Sequence, residues 1–212
     1  MRLIIDNIIP IIINIGLGLV LLSPLPFGNV ETWSGSLFQI ISFITFGVWL
    51  TGKVLRGRIR LMPSPLYIPI ALFFILIIFQ TVDLPEAILD IISPHTSALW
   101  QSQGEALRYV FGDDIRLGNT ISIYPFVTHQ KFLLYLSYAA FFLVTADFIR
   151  TSRQIKRFFW IIFTISVIES LIGLLQYITS GTTVPASGTY VNPNHFAGLL
   201  ALTIPLFIGY ML

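Results

Sequence analysis

The stretch GTYVNPNHFAGLLALTIPLFIGYML, Gly188 to Leu212, passes from a polar turn through an Asn-Pro-Asn-His cluster into 17 almost wholly apolar residues, Phe196 to Leu212. A run of that length and composition reads as a membrane helix. Asn194 can cap it by accepting a bond from a free N–H of the first turn, and Pro193 pushes Asn192 towards an extended backbone. Ala197, Gly198 and Ala201 are small enough for another helix to come close. A capped membrane helix accounts for these residues. It does not account for Asn192 and His195 crowding the same membrane edge, and both a structural and a functional role stay open for them.

Outward from this stretch the composition keeps the same character. Of 212 residues 55% are apolar and 10% charged, and the mean hydropathy is +0.84, which reads as an all-α, polytopic membrane protein. The absence of cysteine removes disulfides, thiolate catalysis and Cys-type metal sites. Arg2 followed by an apolar run superficially resembles a signal peptide. No small-x-small cleavage site lies near Ser23-Pro24-Leu25-Pro26, and a second span follows, so we read a retained first helix.

Six spans are expected, near 4–22, 35–50, 66–82, 132–149, 158–178 and 196–212, with Pro10 and Asn14 interrupting the first. The longest segment between spans, 83–131, opens with LPEAILDIISP. There Leu84, Ile88, Leu89, Ile91 and Ile92 can share one face of a short interfacial helix that Pro94 ends. The remainder of that loop mixes Trp100, Tyr109, Phe111 and Tyr124 with charges, and its aromatics argue against disorder. Arg2, the cluster Lys53, Arg56, Arg58 and Arg60, and the cluster Arg150, Arg153, Lys156 and Arg157 make up most of the 12 basic residues. The positive-inside rule puts the N-terminus and both clusters in the cytoplasm, and the 83–131 loop with the Asn-Pro-Asn-His turn on the outer face. The apolar run ends at Leu212 without a basic flank, which leads us to expect the N-terminal part of a longer protein.

Several chemistries find no motif. There is no phosphate-binding Gly-x-x-x-x-Gly-Lys loop, no His-Glu-x-x-His and no Gly-x-Ser-x-Gly elbow. The three histidines lie far apart, so no metal is expected, and the short basic clusters, explained by topology, give no nucleic-acid patch. Glu169 is the one acid deep inside an expected span, roughly 18 Å along its helix from Arg157 at 1.5 Å per residue. Such a carboxyl is either functional, because charge is costly there, or protonated and bonded to a Ser, Thr or Asn of another helix. Gln176, two turns on, faces the same outer side. Arg108 and Arg116, with Lys131, are the outer-face cations. A guanidinium suits a phosphate, though each can equally be a solvated loop charge. His195 can act as acid or base near neutral pH, or simply bond a helix end.

These pieces together resemble the bacterial O-antigen ligase and polymerase family. The most specific match is Asn192 to Ala197, which resembles its Asn-x-Asn-His-Phe-Ala signature. Pro26-Phe27-Gly28 before Trp33 resembles the first outer turn. Gln80, Leu84-Pro85 and Ser93-Pro94 resemble the segment after span three, and Tyr124-Pro125 with Thr128 the start of span four. Ile172 to Gln176 resembles the end of span five. The resemblance implies a GT-C-type fold and transfer of a glycan from an undecaprenyl-diphosphate carrier to an acceptor, at the outer face of the bacterial inner membrane. It implies no metal or other cofactor, arginines on the diphosphate (here Arg108 and Arg116), and a His or acid (here His195 or Glu169) beside the acceptor hydroxyl. Asn192, Asn194 and Gln176 would then face the substrate. Family members have about twice as many spans, and the large outer loop carrying their principal Arg and His has no counterpart in this sequence. We therefore expect the N-terminal half of a lipid-glycan vestibule, which a separate C-terminal half could complete.

Two other readings compete. A transporter of lipid or polyprenol-linked saccharide would use Pro10, Asn14 and Glu169 as its path, although no internal repeat is visible. A non-catalytic membrane subunit is the third.

Overall fold

The computed structural model describes residues 7–23, 25, 28, 31–57, 61–112, 118–180 and 185–212. These form eight α-helices and, among the described residues, no strand: α1 Ile9–Leu22, α2 Thr32–Leu55, α3 Tyr67–Gln80, α4 Glu86–Ile92, α5 Pro94–Phe111, α6 Pro125–Phe148, α7 Ser152–Ser180 and α8 Pro193–Met211. Four of them, α2, α6, α7 and α8, are long and apolar enough to cross a membrane, while α1 and α3 are apolar but shorter. The chain divides into two compact units, Met1–Met62 with Ser137–Leu212, and Pro63–Leu136.

The first unit shows why these helices want an apolar solvent. On α1, Ile9, Ile13, Leu17 and Val20 recur on one face and are buried. Ile11, Ile12, Ile15 and Leu19 on the other faces are exposed and just as apolar. A helix apolar all round is built for a core or for lipid, and here the outer faces have no protein over them. The buried stripe of α2 is largely small and hydroxylated, with Ser34, Ser42, Thr45 and Gly52 buried alongside Phe38 and Trp49. Hydrophobic attraction between helices vanishes in lipid, so close packing of small residues must hold them. A Cβ on Gly16 would overlap the Thr45 hydroxyl, which already bonds the Ile41 carbonyl of its own helix at 2.7 Å. Gly16→Ala is expected to cost about 1–3 kcal/mol by overpacking this crossing, read as a lower unfolding midpoint of purified protein heated in detergent. Below the crossing, Ile9, Ile13, Leu17, Trp49, Val144 and Phe158 form the core.

Pro10 does not interrupt α1, because it occupies the first turn, where proline is tolerated. Asn14 is likewise absorbed: its amide donates to the Pro10 carbonyl at 2.7 Å and accepts from Arg157 at 3.4 Å. Further along, α8 is clasped to α7 near its C-terminal end, where Phe207 meets Phe159 and Phe163 edge-on and Tyr210 stacks on Phe159 at 4.2 Å.

In the second unit, α4 forms where the sequence places a short helix. Of its apolar side chains, however, Leu89 is buried and Ile88, Ile91 and Ile92 are exposed. Pro94 ends α4 and also opens α5, an 18-residue helix. The two helices make a hairpin, with Gln101 donating to Glu86 at 2.8 Å. The chain after α5 then returns to the end of α3. The Leu84 N–H donates to the Asn119 carbonyl, the Ser122 N–H to the Gln80 carbonyl, and the Trp100 indole to the Thr120 carbonyl, each at 2.9 Å. The helix α6 also starts earlier than the expected fourth span, at Pro125, where Thr128 turns its hydroxyl back to the Tyr124 carbonyl at 3.2 Å and to Ser122 at 2.7 Å.

Candidate functional site

The connection from α7 to α8 is built onto two side chains of α7. Glu169 is completely buried, and both its oxygens are engaged by Thr189. The backbone N–H of Thr189 donates to Oε2 at 2.8 Å, and its hydroxyl lies 2.6 Å from Oε1. That hydroxyl is also 2.6 Å from the Leu25 carbonyl, which ties the chain just after α1 to the same point. Gln176, two turns further along α7, does the same for the preceding residues. Its Nε2 donates to the Gly188 carbonyl at 2.6 Å, and its Oε1 accepts the N–H groups of Ser187 and Gly188, each at 3.0 Å.

Gly188 is required between them. Its φ is +62°, and a Cβ would overlap Glu169 Oε2. Both facts exclude a side chain, since the left-handed region alone costs an L-residue about 1–2 kcal/mol and the overlap adds to it. Gly188→Ala is therefore expected to release the connection, measured as new protease cleavage near residue 188 in intact membrane vesicles. Beside this turn, Tyr190 is buried. Burial pushes its phenol above the ordinary value, and the neighbouring Glu169 carboxylate adds to the push.

The Asn-Pro-Asn-His-Phe cluster separates into structural and unassigned parts. The cap of α8 is Asn192, whose Oδ1 accepts the Asn194 N–H at 2.9 Å. The expectation that Asn194 caps the helix is corrected: Pro193 occupies the first helical position, its favoured place, and this makes the preceding residue the cap. Phe196 turns inward, its ring lying where a Cβ on Gly173 would come within 2.8 Å and one on Gly188 within 3.2 Å. The side chains of Asn194 and His195 stay exposed. Neither makes a hydrogen bond to a described residue. The first turn of α8 therefore presents an amide and an imidazole to the surroundings, its backbone N–H groups being taken up by Asn192.

Of the two arginines expected on the outer face, Arg108 stands exposed in the last turn of α5, in the second unit, and Arg116 lies outside the described residues. No group of three or more His, Cys, Asp or Glu that could hold a metal occurs among the described residues.

A second polar centre, which the sequence did not single out, lies at the opposite, basic end of the first unit. Asp147, at the end of α6, is 5% exposed. It forms ion pairs with Lys53 at 2.5 Å and Arg150 at 2.8 Å and accepts the Trp49 indole N–H at 3.0 Å. The signal available in the sequence is an acid three residues before Arg150, with Trp49 and Lys53 one turn apart on α2.

The class that this fold and site define is an all-helical protein with several helices able to cross a membrane. No family model, curated protein or solved structure matches the chain.

Proposed function

We propose that this protein is part of a membrane glycosyltransferase of the O-antigen ligase and polymerase type, in the bacterial inner membrane. Its substrate would be a glycan on undecaprenyl diphosphate, passed to an acceptor at the periplasmic face. In this reading α1, α2, α3, α6, α7 and α8 are the six spans, with the N-terminus and the basic ends of α2, α6 and α7 in the cytoplasm. One observation carries the proposal: Asn194 and His195 are exposed together in the first turn of α8, on a connection fixed by Glu169 and Gln176. The dipole of a helix favours anions at its N-terminus. The Asn194 amide can donate to a phosphate oxygen, and His195 can move a proton at the acceptor hydroxyl. Glu169 and Gln176 then act as positioning residues for the connection that carries the site. The family's principal Arg/His loop has no counterpart in these residues, so the role proposed for this chain is donor binding and assistance.

A transport path through Pro10, Asn14 and Glu169 draws less support, because Asn14 is bonded to Pro10 and Arg157, and Glu169 to Thr189.

The test is complementation of cells lacking their own ligase or polymerase, with the chain alone or extended by whatever its genome encodes next. Transfer of carrier-linked glycan is the readout. His195→Ala is expected to lower transfer about 100-fold, within the usual range for a lost acid–base group, with membrane-inserted protein unchanged because the side chain is exposed. Transfer unaffected by both His195→Ala and Asn194→Ala would overturn the proposal.

A further inference from the structure

At the basic end of the first unit, a cavity of about 280 Å³ opens between the start of α1 and the ends of α2 and α6. Its lining is of two kinds. Ile9, Ile13 and Phe148 are apolar, while Lys53, Arg56 and Arg150 bring three cations. Asp147 is the one carboxylate among the described lining residues, and its oxygens are already engaged by Trp49, Lys53 and Arg150. The wall formed by these residues is net positive.

Arg150 supplies the donors. Its Nε donates to the Asp147 carbonyl at 2.7 Å, and one terminal nitrogen donates to Asp147 Oδ1 at 2.8 Å. A guanidinium has five N–H groups, so three remain without a described partner, on a side chain 60% exposed. The carboxylate thus orients the fork and leaves its outer edge for another acceptor. A planar set of N–H donors in a partly apolar recess matches a phosphate joined to hydrocarbon.

We propose that this cavity binds the phosphate group of an anionic lipid. The phosphate lies against Arg150 and Arg56, and the glycerol and first acyl carbons lie against Ile9, Ile13 and Phe148. The site is separate from the outer face and stands or falls independently of the transferase reading. Inorganic phosphate offers the same oxygens without the hydrocarbon, so the two sources can be told apart.

Trp49 lines the cavity and serves as the reporter. The full chain in neutral detergent would be titrated with dihexanoyl phosphatidylglycerol, with dihexanoylglycerol, which lacks the phosphate, and with inorganic phosphate. Trp49→Phe supplies the background from the other tryptophans. A saturable fluorescence change with the phospholipid, absent with dihexanoylglycerol, is expected. Arg56→Gln and Arg150→Lys should each weaken binding about tenfold, because each removes one charge-assisted hydrogen bond to the phosphate. Arg150→Lys keeps a cation beside Asp147, so the fold is retained while the fork is removed. A response to inorganic phosphate alone would overturn the lipid assignment. An equal response to dihexanoylglycerol, or phospholipid binding unchanged in both variants, would overturn the phosphate site altogether.

Discussion

Glu169→Ala is expected to leave almost no folded protein. The side chain is completely buried, and its removal leaves the partly buried Thr189 N–H without its acceptor. Each buried donor left unsatisfied costs about 1–3 kcal/mol, and a cavity the size of a Glu side chain adds about 2 kcal/mol or more. The sum, about 3–5 kcal/mol, is a large fraction of typical domain stability. Glu169→Gln keeps the volume and one carbonyl oxygen for the Thr189 N–H, so it should retain most of the fold. Fluorescence-detected size-exclusion chromatography of tagged protein separates the two: aggregate for alanine, a single peak for glutamine. Equal peaks for wild type and alanine would mean that Glu169 does not hold the connection.

Asp147→Ala should come second in size. It leaves Lys53, whose side chain is 18% exposed, without the carboxylate that neutralises it, and frees the Trp49 indole N–H in the core. Breaking a buried pair by removing one partner costs about 3–5 kcal/mol, whereas replacing both partners with apolar groups is often neutral. The double variant Asp147→Ala, Lys53→Met should therefore be markedly more stable than Asp147→Ala alone. Thermal midpoints of the four proteins of the cycle, measured in one detergent, give the coupling. Additive losses would show that the pair contributes nothing beyond its separate members.

Much of the helical layout was legible because long apolar runs leave the backbone no other way to satisfy itself in lipid. α5 was not legible, for a specific reason. Its buried positions are Thr96, Ser97 and Gly104, so it packs through small residues and shows no apolar stripe for a periodicity to reveal. Glu169 and Gln176 stood out as polar groups in an apolar helix. Their partners did not, since Thr189 and Gly188 reach them through a turn whose shape depends on a left-handed glycine. Asn192 could have been preferred as the cap from Pro193 alone. Asp147 was hidden by its position, because an acid at the boundary of an apolar run reads as part of the charged flank that follows.

The Thr189–Glu169 clasp also constrains how the protein is made. Thr189 follows Glu169 by 20 residues, so during synthesis the carboxyl leaves the ribosome while its partner is still inside the exit tunnel. α7 must enter the bilayer with that acid unsupported, against a penalty of about 3 kcal/mol on insertion scales. The more than a dozen Leu, Ile, Phe and Val side chains between Phe158 and Ile178 offset it, at about 0.3–0.6 kcal/mol each. Insertion of α7 is thus driven by its own greasiness. The clasp closes only when the next hairpin arm emerges, which makes arrival of α8 the event that locks its predecessor in register.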